Sequence, residues 1–161
     1  MKVPAVLVQY ALCRELDEAA MSCAGQPESG GILLGCYRGD NLQVTGRTLP
    51  GPSDNRQFLS FVRVDGTHQS AATRVWWDSG GTHTWVGEWH THPMGGVLPS
   101  DTDLSSWSRL SRGCRMPMVF VLAVPGEWGL FVVQPSWLRR QAVRLVLVEQ
   151  GMTGSVFAAA G

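Results

Sequence analysis

The stretch Gly87-Glu88-Trp89-His90-Thr91-His92-Pro93, followed by Ser100-Asp101-Thr102-Asp103, decides how the rest of the chain is read. Two of the four histidines stand here, one residue apart. On a strand, side chains alternate between faces, so His90 and His92 point one way and Thr91 the other. Same-face neighbours lie ~6.6 Å apart along a strand, close enough for two imidazoles to tilt onto one ion. A third, oxygen ligand would complete a catalytic zinc site that keeps its fourth position open. Asp103 is the candidate. Ser100 followed by Asp103 also reads as a capping box at a helix start, where the helix dipole favours an ionised carboxylate.

Around this stretch the pattern alternates between strands and helices. Residues 84–92 read as a strand, 94–99 as a glycine- and proline-containing loop, and 101–112 as a helix. Upstream, residues 3–8 suggest a short strand or lead-in, and residues 10–24 have apolar positions near helical spacing. Glu28-Ser29-Gly30-Gly31 runs into an apolar strand, Ile32 to Tyr37. A Gly39-Asp40-Asn41 turn and a returning strand at 42–49 complete a hairpin. Residues 50–55 are a loop by composition, 58–64 a strand and 67–78 a helix stopped by Ser79-Gly80-Gly81. Two strands, 118–124 and 129–133, flank Pro125-Gly126. Residues 143–148 alternate like a last strand, although a helix over 137–148 also fits. Residues 151–161 are weakly patterned and read as a frayed tail. The expectation is one α/β (α+β) domain over residues 1–161, with a mixed, curved sheet flanked by helices and residues 151–161 flexible.

Composition bounds the function. Of 161 residues, 44% are hydrophobic and 16% charged, which suits a globular domain with a proper core. The formal net charge is zero, so no basic excess points to nucleic acid or a membrane surface. The four cysteines are irregularly spaced, with no Cys-x-x-Cys pair, as in a reduced cytosolic protein. The first residues make a poor signal peptide, and no run approaches the ~18 apolar residues of a membrane span. A cytoplasmic protein is expected.

His-x-His or Ser-x-x-Asp alone is a weak signal. Together, with seven residues between them and Glu-x-Gly-Gly upstream, they form a specific pattern. Here the chain resembles the MPN/JAMM (Mov34/PAD-1/JAB) metalloprotease family over roughly residues 28–134. Glu28 to Gly35 looks like that family's glutamate strand. His90-Thr91-His92-Pro93 with Ser100 and Asp103 matches its metal motif without departure. The resemblance implies that His90, His92 and Asp103 bind one Zn2+. It implies that Glu28 is the catalytic base and that the Ser100 hydroxyl steadies the developing oxyanion. It further implies cleavage of an isopeptide or peptide bond after the C-terminus of a ubiquitin-like protein. The compact prokaryotic branch looks most similar. It includes deconjugating peptidases encoded beside ubiquitin-like, E1-like and E2-like proteins in bacterial anti-phage operons. Rival expectations are a peptidase that trims a ubiquitin-fold sulfur carrier, and a non-catalytic MPN scaffold.

Glu88 shares a face with the two histidines by alternation, so it competes with Glu28 for the role of base. A supporting or surface role is expected for it. His68 and His83 are expected to be structural or surface residues, and Trp89 and Trp107 core residues that flank the motif. The loop at 94–99 is a candidate wall of the substrate channel.

Overall fold

A computed structural model of the protein describes residues 2–135 and 141–161. Eight strands close into a barrel in the order β1-β10-β9-β8-β7-β6-β2-β3, and β4 and β5 form a separate two-stranded sheet. The barrel strands are β1 (Val6–Gln9), β2 (Gly30–Arg38), β3 (Asn41–Arg47), β6 (Thr84–Thr91), β7 (Met118–Val124), β8 (Glu127–Val133), β9 (Ala142–Gln150) and β10 (Gly154–Ala159). The small hairpin pairs β4 (Asn55–Gln57) with β5 (Ser60–Val62). Among the described residues three helices accompany them: α1 (Tyr10–Ser22), α2 (Gly66–Asp78) and α3 (Asp101–Ser111). The β1–β3 and β6–β7 pairs are parallel and the other pairs antiparallel, so the sheet is mixed.

The parallel β6–β7 pair needs a crossover, and α3 lies in it. That single topological fact delivers Asp103 beside the histidine strand. β7 is buried along its whole length because both its faces are covered. Val119 and Val121 face a core shared with Leu12 and Leu16 of α1 and with Leu33 and Trp89. Met118, Phe120 and Leu122 face the other way, onto Trp107 of α3. The Trp107 ring stacks on Phe120 with centroids 4.6 Å apart. Trp89 is also core, with Nε1 donating to Thr48 O at 2.8 Å.

The alternation on β6 is reset by a bulge. Leu33 pairs with Gly87 and Leu34 with Trp85, so Val86 is the extra residue. The bulge puts the outward-facing Trp85 in phase with Glu88, His90 and His92. Gly87 is required there, because a Cβ would lie 1.6 Å from Val119 O.

Several expectations need correction. Residues 154–159 are not a frayed tail: β10 pairs with β1 on one side and β9 on the other, closing the barrel. Residues 58–64 are not one strand, since Phe58 and Leu59 form the turn of the β4–β5 hairpin. Residues 142–150 are a strand, which excludes the helix read there as an alternative. Its first residues, 137–140, lie outside the described ones. Among the described residues no helix is long and apolar enough to cross a membrane.

Candidate metal centre

His90 and His92 project from the end of β6 toward the first turn of α3. His90 Nε2 lies 3.0 Å from His92 Nε2. Asp103 completes the triangle, with Oδ1 2.9 Å from His90 Nε2 and Oδ2 3.3 Å from His92 Nε2. Donor atoms around one tetrahedral ion with bonds of ~2.0–2.1 Å stand ~3.3 Å apart. The three separations, two of them measured to different oxygens of the one carboxylate, are close to that spacing, and two nitrogens with a carboxylate are a donor set zinc accepts. The residues therefore fit the ion.

The candidate ligands are held by their backbone context. His92 lies one residue past β6, and its N–H donates to Ala123 O of β7 at 2.8 Å. Thr91, on the opposite face, accepts a hydrogen bond from Ser29 N through Oγ1 at 2.9 Å and donates its own N–H to Ser29 O at 2.8 Å. Asp103 sits in the capping box the sequence suggests. Ser100 N and Ser100 Oγ both donate to Asp103 Oδ2 at 2.7 Å, and Asp103 N donates to Ser100 Oγ at 3.2 Å. Burial would raise the Asp103 carboxyl, but hydrogen bonds from His90 and His92 outweigh it and hold it well below the usual carboxylate range. The same contact with Asp103 raises His92 above its ordinary value.

Glu28 lines the same groove as His90, His92, Ser100 and Asp103. It is 7% exposed. Burial pushes its carboxyl above the ordinary range, against the pull of His90 and His92. Glu88 is different. Arg63 of the hairpin donates to its Oε1 from Nε at 2.9 Å and from a terminal nitrogen at 2.6 Å. That ion pair assigns Glu88 to the groove wall, although it shares the histidines' face.

The groove has a volume of about 510 Å³. Its walls are α3 on one side and Leu59 to Arg63 on the other. The loop at 94–99, expected to be a wall, is not part of it. Val97 is 8% exposed and its side chain lies over Gly129 of β8, while Gly95 N donates to His92 O at 3.3 Å, so the loop backs His92 without lining the groove. The sequence also gave no notice of Arg63. It stands just past the end of β5, where strand periodicity says nothing about its direction. His68 is fully buried and meets Asp54 Oδ2 through Nε2 at 2.7 Å, a structural role, while His83 contacts Thr82 at the surface.

Residues 12–140 match the family described as prokaryotic homologs of the JAB domain. The chain belongs to that family. Two relatives are called CD-NTase/cGAS isopeptidase. The one from Vibrio cholerae is 45% identical over 83 residues, 52% of this chain and 53% of its own length. The one from Pseudomonas aeruginosa is 35% identical over 105 residues, 65% and 66% of the two lengths. The JAB chain thus spans about half to two thirds of the curated relatives it matches. A protein from Desulfitobacterium hafniense, solved in solution, shares the fold with a TM-score of 0.59. It is 18% identical, and the match covers 89% of this chain and 93% of that one.

Proposed function

We propose that this JAB domain is a zinc-dependent isopeptidase acting in the bacterial cytoplasm as part of anti-phage defence. It hydrolyses the amide bond made by the C-terminal carboxyl of a ubiquitin-like protein, releasing that protein from conjugates or maturing its precursor. E1-like and E2-like proteins would make the conjugates. The observation that carries the reading is the convergence of His90, His92 and Asp103 in one groove with the buried Glu28. The relatives' name favours isopeptide chemistry, and a conjugate that includes a CD-NTase. The complete donor set argues against a purely structural scaffold.

His90 and His92 would each offer Nε2, and Asp103 would offer Oδ1, since its Oδ2 already accepts from Ser100. A bound Zn2+ would supply Lewis acidity, acidifying water and polarising the scissile carbonyl. Glu28 takes a proton from the attacking water as the new C–O bond forms. It returns that proton to the nitrogen as the C–N bond breaks, leaving a carboxylate and a free amine. Its raised pKa suits both halves of this exchange. The Ser100 hydroxyl turns from Asp103 to the carbonyl oxygen as charge develops there. The groove between the hairpin and α3 would hold the substrate's extended C-terminal tail.

The test uses fusions in which a reporter follows the C-terminus of a ubiquitin-like protein or of a CD-NTase from an anti-phage operon. Wild type should bind one zinc and cleave, and a chelator should stop it. Glu28→Ala should keep the zinc and lose ~10²–10⁴ in kcat. His90→Ala and Asp103→Ala should lose the metal. A wild type that binds no zinc, or cleavage that survives Glu28→Ala and is lost in Glu88→Ala, would overturn the reading.

A further inference from the structure

We propose that Arg56, on the β4–β5 hairpin, is a positioning residue for Glu28. It fixes the main chain at Pro27 and Glu28 so that the carboxyl stays turned into the metal groove. The inference rests on the proposed function only for what Glu28 does; the coupling itself stands on geometry.

Glu28 lies outside the barrel's hydrogen-bond ladder. The β2–β6 register begins at Gly30 opposite His90. Ser29 is tied to β6 through both Thr91 contacts, and the tie stops there. The main-chain groups of Glu28 go elsewhere. Its N–H donates to Gln57 O at 2.7 Å, and its carbonyl accepts from Arg56 Nε at 2.9 Å. Pro27 has no N–H to give, and its carbonyl accepts from a terminal nitrogen of Arg56 at 3.3 Å. One guanidinium fork therefore bridges two successive carbonyls, a geometry that lysine reproduces only in part.

The hairpin is itself anchored near the site. Arg63 holds Glu88, and a Cβ on Gly30 would lie 2.6 Å from the Phe61 ring. Its turn is open to solvent, with Leu59 78% exposed. The base thus takes its backbone position from an element with no ladder to the barrel. An error of about 1 Å in a reacting group can cost ~10²-fold in rate. A positioning role differs from simple loop closure in what it predicts for Glu28, and the variants separate the two.

The experiment uses the full zinc-loaded chain with Arg56→Ala, Arg56→Gln and Arg56→Lys. Amide exchange by NMR reports the coupling whether or not a substrate has been found. In Arg56→Ala the Glu28 amide should exchange at least ~10-fold faster, with His90 and Thr91 unchanged. With an active fusion substrate, kcat should fall ~10–100-fold while KM stays within about twofold. Zinc content should be unchanged, and Arg56→Lys should recover part of the rate. In a Glu28→Ala background, Arg56→Ala should cost nothing more. Unchanged Glu28 exchange, zinc loss, an effect confined to KM, or a further loss in the Glu28→Ala background would each overturn the proposal. Absence of cleavage by wild type would sink the proposed function instead, and the exchange result would still decide the role of Arg56.

Discussion

At the scale of single residues, Ser100 carries two duties that can be separated. Its hydroxyl and amide hold Asp103 Oδ2, and its hydroxyl also accepts from Asp103 N as the N-cap of α3. If it also steadies the oxyanion, removing the hydroxyl should slow turnover ~10²–10³-fold. Ser100→Ala should in addition lose about 1 kcal/mol of stability as a lost cap, whereas Ser100→Gly should lose only a few tenths. The expected outcome is equal loss of kcat in both variants, unequal losses in thermal stability, and zinc retained in both. If the rate loss instead follows the stability loss, Ser100 acts as a cap alone. This residue-scale logic was legible in the sequence because its contacts are local. His90 and His92 share a face by strand period, and Ser100 and Asp103 meet within one helical turn. Glu28 was visible only through the pattern it shares with a known family. Its distance of more than sixty residues from His92 gives local periodicity nothing to work on.

At the scale of elements, the loop between β3 and β4 looks like filler by composition but is built around one buried carboxylate. Asp54 Oδ1 accepts from Val64 N at 2.7 Å and Asp65 N at 2.8 Å, and Oδ2 accepts from Gly51 N at 2.8 Å. Its Oδ2 also meets His68 of α2, whose other ring nitrogen contacts the Thr48 hydroxyl. Burial would raise the Asp54 carboxyl, yet the bonds from His68 and the three amides hold it far below its ordinary value. The folded state therefore binds this proton more weakly than the unfolded chain does. The stabilisation is fully present above the unfolded value of ~3.9 and is lost as pH falls through the depressed folded value. Asp54→Asn should lower the melting temperature at pH 7, and the gap from wild type should shrink as the pH is taken below ~4. A gap constant with pH would show that the carboxylate's charge is not what matters. The neighbouring hairpin escaped sequence reading for a related reason. Phe58-Leu59 is an apolar turn without the Asn-Gly or Asp-Gly that marks a tight hairpin. What holds the hairpin is non-local: Arg56 to Glu28 and Arg63 to Glu88.

At the scale of the whole molecule, closure of the barrel is what the sequence concealed most. Gly154-Ser155-Val156-Phe157-Ala158-Ala159 has little side-chain contrast, so neither alternation nor bulk marks it as a strand. It becomes one because both edges of the sheet need a partner. Val6 pairs with Phe157 on one side and Ser155 with Gln150 on the other, and the Tyr10 N–H donates to Thr153 O at 3.1 Å. Phe157 also packs against Trp128, with ring centroids 5.2 Å apart. Ending the chain after Gly151 would remove all of these contacts. It would turn β9 into an open edge carrying Val146, Leu147 and Val148, each more than 40% exposed already. In the cyclic strand order, however, β10 stands four places from β6 in either direction, so the candidate metal centre lies across the barrel from the lesion. The truncated chain should therefore melt well below the full chain and aggregate on size-exclusion chromatography. Its folded, monomeric fraction should still bind one zinc per chain. A monomer with the full chain's melting temperature would show that closure by β10 is dispensable. Loss of zinc from a folded monomer would show that the site depends on the closed barrel, not only on β6, α3 and the segment that carries Glu28.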